Sequence, residues 1–176
     1  MAVTIDGSAG VTINSGAVLG ITSGTAVAST SGTSIDFTSI PSWVKRITVM
    51  FQGISTSGTS VVVVRLGTSG GIVSTSYVGA SGGTINGGSA GVVAYSTGFA
   101  LDNDWAATRL YSGNMVIDNI TGNTWVESHS LGESATVRMN TGGGYQALSG
   151  TLDRLRITTV NGTDTFDAGS INILYE

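Results

Sequence analysis

Hydrolysis by a side-chain nucleophile needs a hydroxyl or thiol, a base to activate it and an acid to orient the base. In this chain one imidazole, His129, is available for the middle position, and there is no cysteine for the first. Glu127 lies two residues before His129, so on a β-strand the two side chains share a face. Serines are too numerous for counting to exclude a Ser–His–acid set. No Gly-x-Ser-x-Gly elbow leads into a helix, however, and that motif depends on the strand-to-helix turn to expose its serine. His129 therefore reads as a surface strand residue, and no catalytic residue is assigned.

Other chemistries are as thinly supplied. Asp102-Asn103-Asp104 offers oxygen ligands suited to Ca²⁺, but without the twelve-residue loop and its closing Glu it reads as a polar turn before Trp105. One His and no Cys leave no nitrogen or sulfur set for a transition metal. Asp153, Asp164 and Asp167 are candidates for the carboxylate pair of a glycosidase; Asp164 and Asp167 flank Thr165-Phe166 and read more simply as turn formers. Gly67-Thr-Ser-Gly-Gly71 lacks the Gly-Lys-Ser/Thr ending of a phosphate loop. Trp105, Trp125, Tyr77, Tyr95, Tyr111 and Tyr145 could stack on sugar rings, although core packing explains them more simply. No metal or cofactor is expected, and the ligand-binding residues stay unassigned.

The elements that would position these residues are β-strands. The 176 residues include 27 Gly and one Pro, with 40% hydrophobic and only 10% charged positions. That is enough apolar material for a core, and the low charge argues against disorder. Soluble domains carry about 25% charged residues, so part of this surface is expected to be buried in an oligomer. Seven basic residues and a net charge of −4 leave no basic stripe for nucleic acid. No apolar run approaches a membrane span, and the start Met1-Ala-Val-Thr-Ile-Asp6 has neither the basic nor the apolar part of a signal peptide. Synthesis in the cytoplasm of whatever cell makes the chain, without membrane insertion, is the expectation. The sequons at Asn119 and Asn161 then read as chance matches.

Residues 1–37 repeat. Val3–Gly10 is followed by Val11–Val18, and Thr22–Ser29 by Thr30–Phe37, each unit carrying a glycine. Each is one short strand plus a turn. Two hairpins and an extended arm that adds strands to a neighbouring subunit both satisfy the pattern. From residue 38 on, strands alternate with Gly/Ser/Thr turns. Ile47, Val49 and Phe51 face one way, with Arg46, Thr48 and Gln52 opposite. Val61–Val64 is apolar on both faces and therefore central, and further strands are expected over 72–78, 92–95, 109–117, 125–128, 136–139, 152–159 and 170–175. Gly79–Gly91 and Gly142–Gly144 are expected as surface loops. Short strands punctuated by turns predict an all-β, antiparallel, jelly-roll-like β-sandwich over 38–176, preceded by the 1–37 arm.

Three blocks carry a family resemblance: Ser34–Gly53 (with Ile40-Pro-Ser-Trp-Val-Lys-Arg46), Val64-Arg-Leu-Gly-Thr-Ser-Gly-Gly-Ile72, and Gly150–Glu176 (with Leu152-Asp-Arg-Leu-Arg-Ile-Thr-Thr-Val-Asn-Gly162). Together they resemble a module at the C-terminal end of tailed-bacteriophage virion proteins, often labelled tail fibre. The resemblance implies a homotrimeric β-sandwich on the virion exterior with no enzymatic motif. Its expected partners are other copies of itself and other virion proteins, the major capsid protein or tail proteins, with a host glycan as a further partner for a receptor-binding tip. The short segment before the module suits a capsid decoration (cement) protein or a separate fibre tip. A carbohydrate-binding module and a cryptic glycosidase are the alternatives from other classes.

Overall fold

The computed structural model describes residues 3–6, 10–13, 16–17, 20–88, 91–133 and 135–176. It is all-β. In chain order the strands are β1 (Val3–Asp6), β2 (Gly10–Ile13), β3 (Gly16–Ala17), β4 (Thr22–Ser23), β5 (Val27–Ala28), β6 (Ser34–Thr38), β7 (Arg46–Thr56), β8 (Val62–Thr68), β9 (Gly71–Ile72), β10 (Val78–Ile85), β11 (Gly91–Tyr95), β12 (Phe99–Ala100), β13 (Tyr111–Thr121), β14 (Thr124–Glu133), β15 (Arg138–Ala147), β16 (Arg154–Thr159) and β17 (Phe166–Tyr175).

Two antiparallel sheets form the sandwich. The larger runs β11-β10-β15-β14-β13-β7-β17-β4, with β5 also on β17; the smaller runs β12-β8-β16-β6, with β9 on β8. Strands β1 to β3 form a sheet of their own. Within the 1–37 segment, β4 and β5 pair with β17 and β6 pairs with β16.

Alternation explains the core. Ile47, Val49 and Phe51 from β7, Met115 and Ile117 from β13, and Ile171 and Ile173 from β17 meet Ile35, Val64, Leu66, Leu155 and Ile157 of the smaller sheet in one cluster. A fully buried side chain of this kind contributes about 1.5–3 kcal/mol. Strand β8 lies between β12 and β16, the central place that its apolar run predicts. The β13–β14 hairpin turns at Gly122-Asn123, where Gly122 takes a φ of 51°.

The glycine-rich stretches depart from expectation. Gly79–Gly83 lies inside β10, paired to β11 on one side and β15 on the other, and Gly142–Gly144 lies inside β15 between β10 and β14. They are strand because both neighbours pair with them, and glycine stands there because neighbouring groups occupy the space a Cβ would fill. At Gly142 an added Cβ would stand 2.3 Å from His129 Cε1, and at Gly144 2.6 Å from the Val78 carbonyl oxygen. The 72–78 strand is also absent: the chain leaves β9 after Ile72 and pairs again only at Val78.

Tyr77, in that link, is 3% exposed. Its hydroxyl accepts a hydrogen bond from the Leu66 amide at 2.6 Å and donates to the Val73 carbonyl at 3.1 Å. Burial pushes the phenol up from 10.0 to about 12. The neutral form is therefore the one the fold favours, so its contribution is whole below pH 10 and is lost as pH climbs from 10 to about 12. Urea midpoints measured across that window are expected to fall, and Tyr77→Phe is expected to flatten the fall. An equally steep decline in the variant would refute the assignment.

Candidate functional site

The inner face of the larger sheet changes character along its width. Under β13, β7 and β17 it is apolar. Under β14, β15 and β10 it carries Glu127, His129, Glu133, Arg138, Asn140, Gln146 and Ser81, all buried.

His129 is not a surface residue; its side chain is fully buried and that of Glu127 is 2% exposed. The expected shared face is present, with Glu127 Oε2 3.1 Å from His129 Nδ1. On the other side of the ring, Nε2 is 3.2 Å from Ser81 Oγ. The imidazole reaches from β14 over the bare backbone of Gly142 on β15 to meet Ser81 on β10. Ser81 is the centre of Gly79-Ala80-Ser81-Gly82-Gly83, which has the Gly-x-Ser-x-Gly spacing. The atoms thus follow the order hydroxyl, imidazole, carboxylate. The run lies in a doubly paired strand instead of a strand-to-helix turn, and Ser81 is 1% exposed. A substrate carbonyl has no path to such a hydroxyl, so the relay's evident work is to satisfy three polar groups inside the sandwich. A fluorophosphonate probe is expected to leave the native chain unlabelled, and Ser81→Ala to lower stability by about 1 kcal/mol. Labelling that is lost in Ser81→Ala would instead identify a nucleophile.

Asp102-Asn103-Asp104 already holds a cation, the guanidinium of Arg138. Arg138 Nη2 donates to Asp102 Oδ1 at 2.8 Å and to Asn103 Oδ1 at 2.5 Å, Nη1 to Asp104 Oδ2 at 3.2 Å, and Nε to Asn140 Oδ1 at 2.9 Å. Tyr111 donates its hydroxyl to Asp102 Oδ2 at 2.9 Å, and its ring stacks on Trp105 with centroids 4.0 Å apart. Burial first, and then the Asp102 charge against an opposing Arg109, drives the Tyr111 phenol above its ordinary range. Among the described residues no three His, Cys, Asp or Glu side chains gather as a metal set.

The three candidate carboxylates are separately engaged. Asp153 is ion-paired to Arg154 at 2.7 Å, which holds its carboxyl below the usual range. Asp164 accepts from the Ser60 amide at 3.0 Å and Asn161 Nδ2 at 2.8 Å, closing a turn. Asp167 accepts from the Ser55 hydroxyl. Arg156 pairs with Asp36 across β16 and β6. Of the six aromatic candidates Tyr77, Trp105, Tyr111 and Trp125 are buried, Tyr95 is half-buried, and Tyr145 alone of the set is exposed.

What the surface offers lies at the β11 end of the larger sheet. Of the twelve large apolar side chains exposed among the described residues, five are on β10, β11 and β15, namely Val78, Val92, Val93, Met139 and Tyr145, with Val137 just before β15 and Leu110 just before β13. A groove of about 700 Å³ runs between Ile85, Leu110, Val137 and Met139 over a floor of Gly53, Ser112 and Gly132. A second, of about 320 Å³, continues along β10 and β11 past Met139 to Val92. No charged residue occurs between Arg65 and Asp102, so β9 to β12 are uncharged throughout. No protein-family model, no curated protein and no solved structure matches this chain.

Proposed function

We propose that this chain is a non-enzymatic structural subunit of a tailed-bacteriophage particle, a jelly-roll-like homotrimer on the particle's exterior that acts as a capsid decoration protein or fibre component. The observation that carries the assembly role is the set of exposed apolar side chains Val78, Val92, Met139 and Tyr145, which the register of β10, β11 and β15 puts on one face. Contiguous apolar surface of this kind marks a place where another protein sits. The particle assignment comes from the resemblance of the three sequence blocks. In support, those blocks supply β6, most of β8, and β16, which are neighbours in the smaller sheet, and most of β7 with β17, neighbours in the larger one. Burial of four of the six aromatic candidates favours a shell or fibre structural role over a glycan-binding tip.

Quantitative mass spectrometry of purified particles, with this chain counted against the major capsid protein, tests the proposal. A fixed, large fraction of the capsid copy number identifies a decoration protein, and a few copies identify a fibre component. Absence from the particle refutes it.

A further inference from the structure

Strand β11 is an edge, since β10 is its one partner in the sheet order. It reads Gly-Val-Val-Ala-Tyr, with Val92 73% and Val93 42% exposed although they point to opposite faces. Sheet edges are ordinarily protected by lysine, proline, a bulge or a covering element. This one has no charge and no proline, and its register with β10 runs unbroken from Gly91 to Tyr95. Its open backbone groups are a template for another strand.

The opposite edge is closed by β4 and β5, the segment that directly follows β1 to β3. Seven strand intervals separate β4 from β11, roughly 34 Å at the usual spacing. Folded back on one another, β1 to β3 extend roughly 13 Å, and residues 18–21 before β4 add at most roughly 14 Å, which together fall short of that distance. With that reach the N-terminal strands do not arrive at β11 of their own sheet, whereas β11 of a second copy can be brought to them. Strands of two to four residues do not make a stable sheet alone. They match β11 in length and, in Val3-Thr-Ile and Val11-Thr-Ile, in uncharged β-branched composition.

We propose that β11 receives the N-terminal strands of a second copy of this chain, head to tail, so that one subunit's sheet continues into the next. This rests on the reading of the chain as an assembly subunit, and names the surface that makes the assembly. Heterologous contacts of this kind close into a ring when the rotation permits, and a trimer is the smallest such ring.

The full-length chain, which has no native cysteine, suits a cross-linking test. Val92→Lys/Val93→Lys is expected to convert the oligomer to a monomer by light scattering with its thermal unfolding retained, because both side chains are solvent-exposed. Thr12→Cys/Ala94→Cys with a short bismaleimide is expected to give a ladder of covalent oligomers, and each single variant none. If the wild type is oligomeric but the lysines leave it so, or the double variant fails to cross-link between chains, another surface makes the assembly and the β11 proposal falls while the subunit reading stands. Efficient dimers from Ala94→Cys alone would mean that two β11 edges pair with each other, and a cross-link within one chain would mean that the arm reaches its own edge; either overturns it. A wild type that stays monomeric at high concentration overturns both readings.

Discussion

Deletion of Ile171–Glu176 is expected to leave no cooperatively folded protein. Strand β17 lies between β7 on one side and β4 and β5 on the other, so its second half holds two parts of the larger sheet together. Ile171 is 0% and Ile173 3% exposed. Loss of one such side chain costs about 2–5 kcal/mol, against a total stability of about 5–15 kcal/mol for a typical domain. The deletion also removes the two bonds that the Lys45 and Arg46 amides donate to the Glu176 carbonyl, at 2.7 and 2.9 Å. Near-UV circular dichroism and a thermal scan would check this. A truncated chain that melts in one sharp transition would show that the β7–β17 pairing is dispensable.

The second large effect concerns Arg138, with 5% of its side chain exposed against 0% for Asp102. Arg138→Met is expected to cost about 3–5 kcal/mol, because it leaves the Asp102 carboxylate buried without its counter-charge. Asp102→Asn in the same chain is expected to recover much of that loss. The amide keeps an oxygen to accept from the Asn103 amide, now 2.6 Å away, and carries no charge to strand. Urea unfolding of the two single variants and the double variant gives the coupling directly. Additive losses would show that the two groups act independently.

The strands that can be read from the sequence are those whose side chains carry the period. Ile47, Val49 and Phe51 reveal the inner face of β7, and Val62–Val64 reveal β8 as central, because an apolar side chain records which way it points. Gly79–Gly83 and Gly142–Gly144 record nothing of the kind. A glycine in β15 is needed because of a ring attached at position 129, and that requirement is written in another strand. For the same reason the burial of His129 was hidden. Glu127 is two residues away and visible in the sequence, whereas Ser81 is reached across an intervening strand that only the sheet order supplies. The Gly-x-Ser-x-Gly spacing around Ser81 was the available local signal, and without a helix after it that signal points away from the contact it makes. The β11 edge was half legible. Val92–Tyr95 alternates too little to show a buried face, but whether a strand ends a sheet is a property of topology, not of its own residues.

One consequence of the charge arrangement concerns speed. Five of the seven basic side chains, Arg46, Arg109, Arg138, Arg154 and Arg156, are ion-paired within the chain, and β9 to β12 carry no charged residue. The net charge of −4 remains, so two copies repel weakly, and the uncharged strands offer nothing to steer them together. Encounter then proceeds no faster than the unsteered rate, about 10⁵–10⁶ M⁻¹s⁻¹, and quickens modestly as salt screens that repulsion. In the proposed assembly, copies would find one another through abundance, so their joining would wait until synthesis has raised their concentration.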